Sequence, residues 1–260
     1  MKIKLYQIDA FANKVFEGNP AAVCPLDHWL DDDLMQAIAI ENHLSETAYF
    51  VAKKGVYGLR WFTPAAEVDL CGHATLASAH VVFNYLEPSS KTVAFDTRSG
   101  RLTVNRGDRG LLEMDFPSQP GKEIAVSEDV IQTLGAEPSQ LFAGKDLMAV
   151  FERESQIRAI EPDLPAVKEL GGRGLIITAP GEEVDFVSRF FAPKFNIPED
   201  PVTGSAHCML TPYWAERLGK IELGARQTSV RGGELTCVML ENRVRISGRA
   251  VLYMQGEVTL

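Results

Sequence analysis

The chain has 260 residues, with 26 Lys and Arg against 35 Asp and Glu and a formal net charge of −9. That balance, with cations scattered along the chain, excludes a binder of the nucleic-acid backbone, which needs a basic stripe. At 45% hydrophobic residues the chain can bury a core for one or two domains, yet no apolar run approaches the ~20 residues of a membrane span.

Residues 1–9 alternate like a strand and lack the apolar stretch of a signal peptide, so a cytoplasmic location is expected. Phe16-Glu17-Gly18-Asn19-Pro20 reads as a turn and 21–24 as a short strand. Asp31-Asp32-Asp33 supplies an N-cap and acidic first turn for a helix over 34–42. Strands follow at 45–51 and 59–62. Asp69-Leu70-Cys71-Gly72-His73 then opens a helix over 74–85, apolar or small on every side and therefore buried. Strands are expected at 92–96, 102–106 and 111–116. The Pro/Gly/Ser-rich stretch 117–123 is the expected boundary between halves 1–116 and 117–260.

The second half repeats the plan. Helices are expected at 128–134 and 164–170, strands at 174–178 and 185–191, and a matching helix over 207–218. Strands follow at 227–230, 235–240 and 243–247, and a last strand, 250–260, can return to either half. Each half is thus an antiparallel sheet or partial barrel around one central apolar helix, an α+β design.

The repeat is visible in the residues themselves. Arg60-Trp61-Phe62-Thr63-Pro64 is followed eight residues on by Gly72-His73-Ala74. Arg189-Phe190-Phe191-Ala192-Pro193 is followed eleven residues on by Gly204-Ser205-Ala206. A third matched block follows each, Arg98-Ser99-Gly100 and Arg231-Gly232-Gly233. Two copies of one unit, each with a glycine turn opening a helix, would face each other across a site between the halves.

A helix N-terminus offers free backbone N–H groups to an anion, and glycine lets a ligand approach closely. Gly72-His73 and Gly204-Ser205 are therefore candidate carboxylate- or enolate-binding turns; the plainer reading makes each a tight strand-to-helix turn. Asp200, His73 and Ser205 are candidates for orienting a polar substrate. A serine hydrolase is disfavoured, because Thr203-Gly204-Ser205-Ala206-His207 lacks the second glycine of the nucleophile elbow. Glu46, among apolar and small residues at a helix-to-strand handover, reads either as a solvated strand-end charge or as a general acid/base in a partly apolar pocket. The four cysteines include no C-x-x-C and the five histidines no H-x-x-x-H. Neither a metal site nor a disulfide framework is expected.

At these residues the chain resembles the PhzF-like family of phenazine-biosynthesis-type isomerases, which share the diaminopimelate epimerase fold. The resemblance rests on Gln7-Ile8-Asp9-Ala10-Phe11, Gly18-Asn19-Pro20-Ala21-Ala22-Val23, Ser45-Glu46-Thr47-Ala48, Asp69-Leu70-Cys71-Gly72-His73-Ala74-Thr75, and Arg189 to Pro193 with Glu199 to Ala206. It implies two pseudo-symmetric halves, no cofactor, and a homodimer. It implies Glu46 as general acid/base, His73, Asp200 and Ser205 as substrate-positioning and proton-handling residues, and the backbone at Gly72 and Gly204 as carboxylate-binding turns. The epimerase relatives use a cysteine before each glycine as opposed bases. Here the positions hold Cys71 and Thr203, and a threonine hydroxyl is too weak for that work. Cys71 is then a packing residue or a partner in the site.

The expected function is a cofactor-independent isomerase shifting a proton on a small amino- or hydroxy-substituted unsaturated carboxylic acid. A two-base racemase or epimerase using Cys71, and a non-catalytic small-acid-binding protein, are the alternatives.

Overall fold

Strands joined by a tight turn pair antiparallel, whereas a helix between two strands lets them run parallel. A computed structural model describes residues 1–260, and that rule organises most of it. The chain forms two compact units, Met1–Asp115 with Ser247–Leu260, and Phe116–Ile246.

In the first unit, β1 (Lys2–Ala10) pairs antiparallel with β2 (Asn19–Leu26). Helix α1 (Asp32–Asn42) intervenes, and β2 then pairs parallel with β3 (Glu46–Lys53). Strand β3 turns back antiparallel into β4 (Val56–Phe62), which pairs briefly with β5 (Glu67–Val68). Helix α2 (Gly72–Val81) continues into a wider π-turn over Val82–Leu86 and leads to β6 (Thr92–Thr97), parallel to β4. Strands β7 (Gly100–Arg106) and β8 (Leu112–Pro117) follow antiparallel.

The second unit runs the same order. Strand β9 (Lys122–Ile124) pairs antiparallel with β10 (Gln140–Ala143), which is reached through α3 (Glu128–Leu134). Strand β10 pairs antiparallel with β11 (Leu147–Val150). Helices α4 (Glu154–Ala159) and α5 (Leu164–Glu169) intervene, and β11 pairs parallel with β12 (Leu175–Pro180). Strand β12 is antiparallel to β13 (Phe186–Phe191); α6 (Gly204–Leu218) intervenes, and β13 is parallel to β14 (Glu222–Gln227). Strand β15 (Gly233–Leu240) pairs antiparallel with β14, and β16 (Arg243–Gly248) follows a tight turn at Glu241, φ +47°. Strand β17 (Ala250–Thr259) pairs antiparallel with β1, inside the first unit.

The central helices match their sequence. In α2, Ala74, Leu76, Ala77, Ala79 and Val81 are all fully buried, which a helix apolar on every side requires. It packs on β1, β2 and β3. Met35, Ile38 and Ala39 of α1 pack with Leu5, Ala22, Cys24, Tyr49 and Phe62. The Tyr49 hydroxyl donates to the Met35 carbonyl at 2.8 Å, so the burial of its ring leaves no orphaned donor. Helix α6 carries Pro212 in its interior, which removes the N–H that the Cys208 carbonyl would otherwise accept. The Gln119 N–H takes that carbonyl instead, at 2.9 Å.

Several expectations need correction. Asp31 occupies the N-cap of α1 with extended backbone, but its side chain makes no capping hydrogen bond. The strand expected at 227–230 lies at Glu222–Gln227. Its inward residues are Leu223, Ala225 and Gln227, and the glycine and charges between them hide the alternation. Part of the stretch 117–123 belongs to β9. Strands β10 and β11 and helix α4 were not anticipated; β11 is buried at every residue and so shows no alternation.

Gly18 is fixed by geometry. It sits at φ +67°, and a Cβ there would lie 2.1 Å from the Ala10 carbonyl oxygen. Gly18→Ala is therefore expected to lower stability by on the order of 2 kcal/mol, read as a drop in the thermal midpoint. An unchanged midpoint would refute this account of the turn.

Candidate active site

Glu46 is the first residue of β3, placed by the sharp end of α1. His43 there adopts a left-handed backbone, φ 49°, and its N–H reaches the Ala39 and Ile40 carbonyls. Three residues later the chain enters β3 with Glu46 in register with Ala21 of β2. Ser45 is held by its hydroxyl on Asn19 Oδ1 at 3.3 Å, and Asn42 donates to Thr47 Oγ1 at 3.0 Å. Glu46 is thus gripped on both sides by the turn and helix that precede it, and it is 8% exposed. The solvated reading of this carboxylate does not survive.

Cys71 caps α2 with extended backbone, and His73 is the second residue of the helix. The Cys71 Sγ lies 3.5 Å from His73 Nδ1, and His73 Nε2 lies 2.9 Å from Glu46 Oε2. The second distance is that of an ion pair, but the approach is off the line of a directed hydrogen bond, and both atoms are buried without another partner. Burial alone would lower the proton affinity of His73. The adjacent Cys71 and Glu46 outweigh it and hold the imidazole well above the ordinary histidine value. The Cys71 thiol is itself pushed up, first by burial and then by the Glu46 charge, against the pull of His73 and the Ala74 N–H. A thiol so raised is neutral near physiological pH.

The second unit presents Asp200, Thr203, Gly204 and Ser205 at the head of the fifteen-residue α6. The Asp200 N–H donates to the Phe190 carbonyl at 2.9 Å, and the Thr203 hydroxyl donates to Asp200 Oδ2 at 2.5 Å. Gln227 of β14 closes the loop. Its Nε2 donates to the Asp200 carbonyl at 2.7 Å, and its Oε1 accepts the Thr203 N–H at 2.9 Å. Sequence reasoning missed the role of Gln227, because the glycine and charges of β14 hide its inward position. It also missed Arg173, which forks onto Asp146 at 3.1 and 2.7 Å and reaches Ser205 Oγ at 3.4 Å. Gly72 and Gly204 are both helical residues, so neither is needed for left-handed backbone. They leave the helix entrance bare.

The repeated arginine now has a physical role. Arg60 forks onto Glu67 with two bonds of 2.7 Å, and Arg189 forks onto Glu199 at 2.7 and 3.1 Å. Each glutamate stands five residues before its glycine, Gly72 or Gly204. The eight- and eleven-residue spacers therefore differ only before the glutamate. Each guanidinium also stacks on the phenylalanine two residues on, Phe62 at 5.1 Å and Phe191 at 4.9 Å. Ser99 and Ser229 donate, each at 2.8 Å, to the carbonyls of Asp69 and Pro201, both three residues before the glycine. Each unit thus pins its glycine turn by a bidentate ion pair and a serine hydroxyl.

His207 lies one turn into α6, donating from Nδ1 to the Thr203 carbonyl at 2.8 Å. Burial lowers it from 6.5 to about 4, against the pull of that carbonyl. Between those values the unfolded chain binds the proton and the folded chain does not, so stability falls as pH drops through this window, by about 3 kcal/mol in all. Denaturant midpoints at neutral pH and at about pH 5 check this. The difference is expected to shrink in His207→Gln, and an equal difference in both proteins would contradict it.

The PhzC-PhzF family, described as phenazine biosynthesis-like protein, matches residues 8–256. An uncharacterized isomerase of Pseudomonas aeruginosa is 50% identical, covering 100% of this chain and 100% of its own. A human phenazine biosynthesis-like domain-containing protein is 39% identical, again over 100% of both. The crystal structure of an Enterococcus faecalis phenazine biosynthesis protein of the PhzF family superposes with a TM-score of 0.98 at 48% identity, covering 100% of each chain. The α+β fold of two like units and these matches agree, and the chain belongs to the PhzC-PhzF family of phenazine biosynthesis-like proteins as a PhzF-like isomerase.

Proposed function

We propose that the protein catalyses a cofactor-independent proton shift on a small amino- or hydroxy-substituted unsaturated carboxylic acid, with Glu46 as general acid/base. The observation that carries this reading is the buried Glu46–His73 pair, whose facing atoms stand 2.9 Å apart without an aligned hydrogen bond. Buried polar atoms left unmatched are costly, and the polar groups of a bound substrate beside them would satisfy them.

In this mechanism a Glu46 oxygen takes a proton from carbon, the double bond moves, and the same carboxyl, after exchanging its proton with solvent, delivers a proton to another carbon. One C–H bond breaks and one forms, with no net redox change. Charge developing on the substrate carboxylate is met by the backbone N–H groups at the head of α2 and by protonated His73. Asp200, Gly204 and Ser205 serve as substrate-positioning groups. The Arg173 guanidinium beside Ser205 adds a cation suited to a carboxylate.

The two-base racemase reading is disfavoured by the chemistry of both positions. Cys71 is a raised, neutral thiol, and the Thr203 hydroxyl is already committed to Asp200. A panel of small unsaturated acids, followed by proton NMR in heavy water, tests the proposal. The expected result is loss of one C–H signal together with a shifted double bond. Acids that bind without any C–H exchange would favour the binding-protein alternative.

A further inference from the structure

Glu46, Cys71 and His73 also make up a set of ligands that proton transfer does not require. Three different donor types, a carboxylate oxygen, a thiol sulfur and an imidazole nitrogen, converge inside the first unit. One ligand atom from each lies within 4.8 Å of the others, and all three residues are buried. Tetrahedral zinc, with Zn–S of about 2.3 Å and Zn–N of about 2.0 Å, sets sulfur and nitrogen about 3.5 Å apart. Cys71 Sγ and His73 Nδ1 stand 3.5 Å apart. Two edges remain, from a carboxylate oxygen to that nitrogen and to the sulfur, about 3.4 and about 3.6 Å in such a site; Glu46 faces the other ring nitrogen, Nε2, at 2.9 Å and must turn to close them. Glu46 Oε2 is also a buried atom without an aligned hydrogen bond, so turning it toward a cation exchanges its ion-pair contact with His73 Nε2 for a metal bond.

We propose that Glu46, Cys71 and His73 form a binding site for a thiophilic divalent cation of the zinc class, and that occupancy switches the enzyme off. Three protein ligands leave a fourth position for water, the arrangement of an open zinc site. The Cys71 thiol and the protonated His73 ring each give up one proton to solvent as the S–metal and N–metal bonds form. A soft sulfur and a borderline nitrogen select zinc, cadmium or cobalt over magnesium and calcium, which prefer all-oxygen cages. The loss of activity rests on the assignment of Glu46 as the proton-transfer group; the binding does not.

Titration of the full-length protein with cobalt(II) reads the binding directly. At one equivalent a thiolate-to-cobalt charge-transfer band should appear, with the visible bands of a tetrahedral ion, and zinc should displace it. Cys71→Ser should abolish the charge-transfer band, and His73→Gln should weaken cobalt binding by more than the ~10–100-fold typical of an outer-shell partner. Cys24, Cys208 and Cys237 are buried elsewhere in the fold and remain in the Cys71 variant, so a band that survives there overturns the site. If that variant does not fold, cadmium NMR of the unaltered protein decides: a shift typical of one sulfur ligand supports the site, and a shift without sulfur overturns it. Zinc should also abolish isomerase turnover, reversibly with a chelator. A cobalt band with undiminished turnover would leave the metal site standing and remove Glu46 from the reaction.

Discussion

Arg189→Ala is expected to destabilise the second unit by about 3–5 kcal/mol. Arg189 is 7% exposed and satisfied on every side. It forks onto Glu199, and its Nη1 donates to the Ile157 carbonyl at 3.0 Å and the Ile160 carbonyl at 2.6 Å. Truncation leaves a half-buried carboxylate and two backbone carbonyls without their cation, and it removes the stack on Phe191. The thermal midpoint should fall by about 10 °C or more. Arg189→Lys keeps the charge but loses the fork, and should fall between. Arg60→Ala should cost less, because the Arg60 side chain is twice as exposed, 18% against 9%, and one of its partners, Asp32, is at the surface. A loss no greater for Arg189→Ala than for Arg60→Ala would contradict this ranking.

The second large effect is on turnover. Glu46→Gln preserves the shape of the side chain and removes its ability to accept a proton. General acid/base catalysis contributes about 10²–10⁴-fold, so kcat should fall by that order. Substrate binding should fall less than turnover, because the backbone turns and Arg173 are untouched and only the support that Glu46 gives to the His73 charge is lost. A variant within tenfold of the parent would mean that another group moves the proton.

Much of the fold was legible because the chain states it twice. The matched arginine, phenylalanine and glycine positions announced two like units, and the uniform apolarity of 74–83 announced a buried helix. Helix α3 was read at its actual bounds because both ends carry a signal. The Ser127 side chain accepts the Val130 N–H, and Gly135 ends the helix in left-handed backbone, φ 64°. Where the end signal lay in tertiary contacts, reading failed. Asp31 has the composition of a cap but not the hydrogen bond, and Gln227 shows its purpose only when β14 brings it beside Asp200.

The candidate site was legible in its residue types but not in its couplings. Glu46 lies on a separate stretch from Cys71 and His73, and no spacing rule joins position 46 to positions 71 and 73. The parallel pairing of β2 with β3 and the packing of α2 on both bring them together. The Arg–Glu fork that pins each glycine turn was present in the spacing, since each glutamate stands five residues before its glycine, but unequal spacers concealed it.

Incorporation of solvent deuterium into a turned-over substrate, compared between the parent protein and Glu46→Gln, is the most direct test. If Glu46 is the base, the parent places deuterium at the carbon that gains the proton, and the glutamine variant loses both exchange and isomerisation together. Undiminished deuterium incorporation by Glu46→Gln would contradict the assignment on which the proposed mechanism stands.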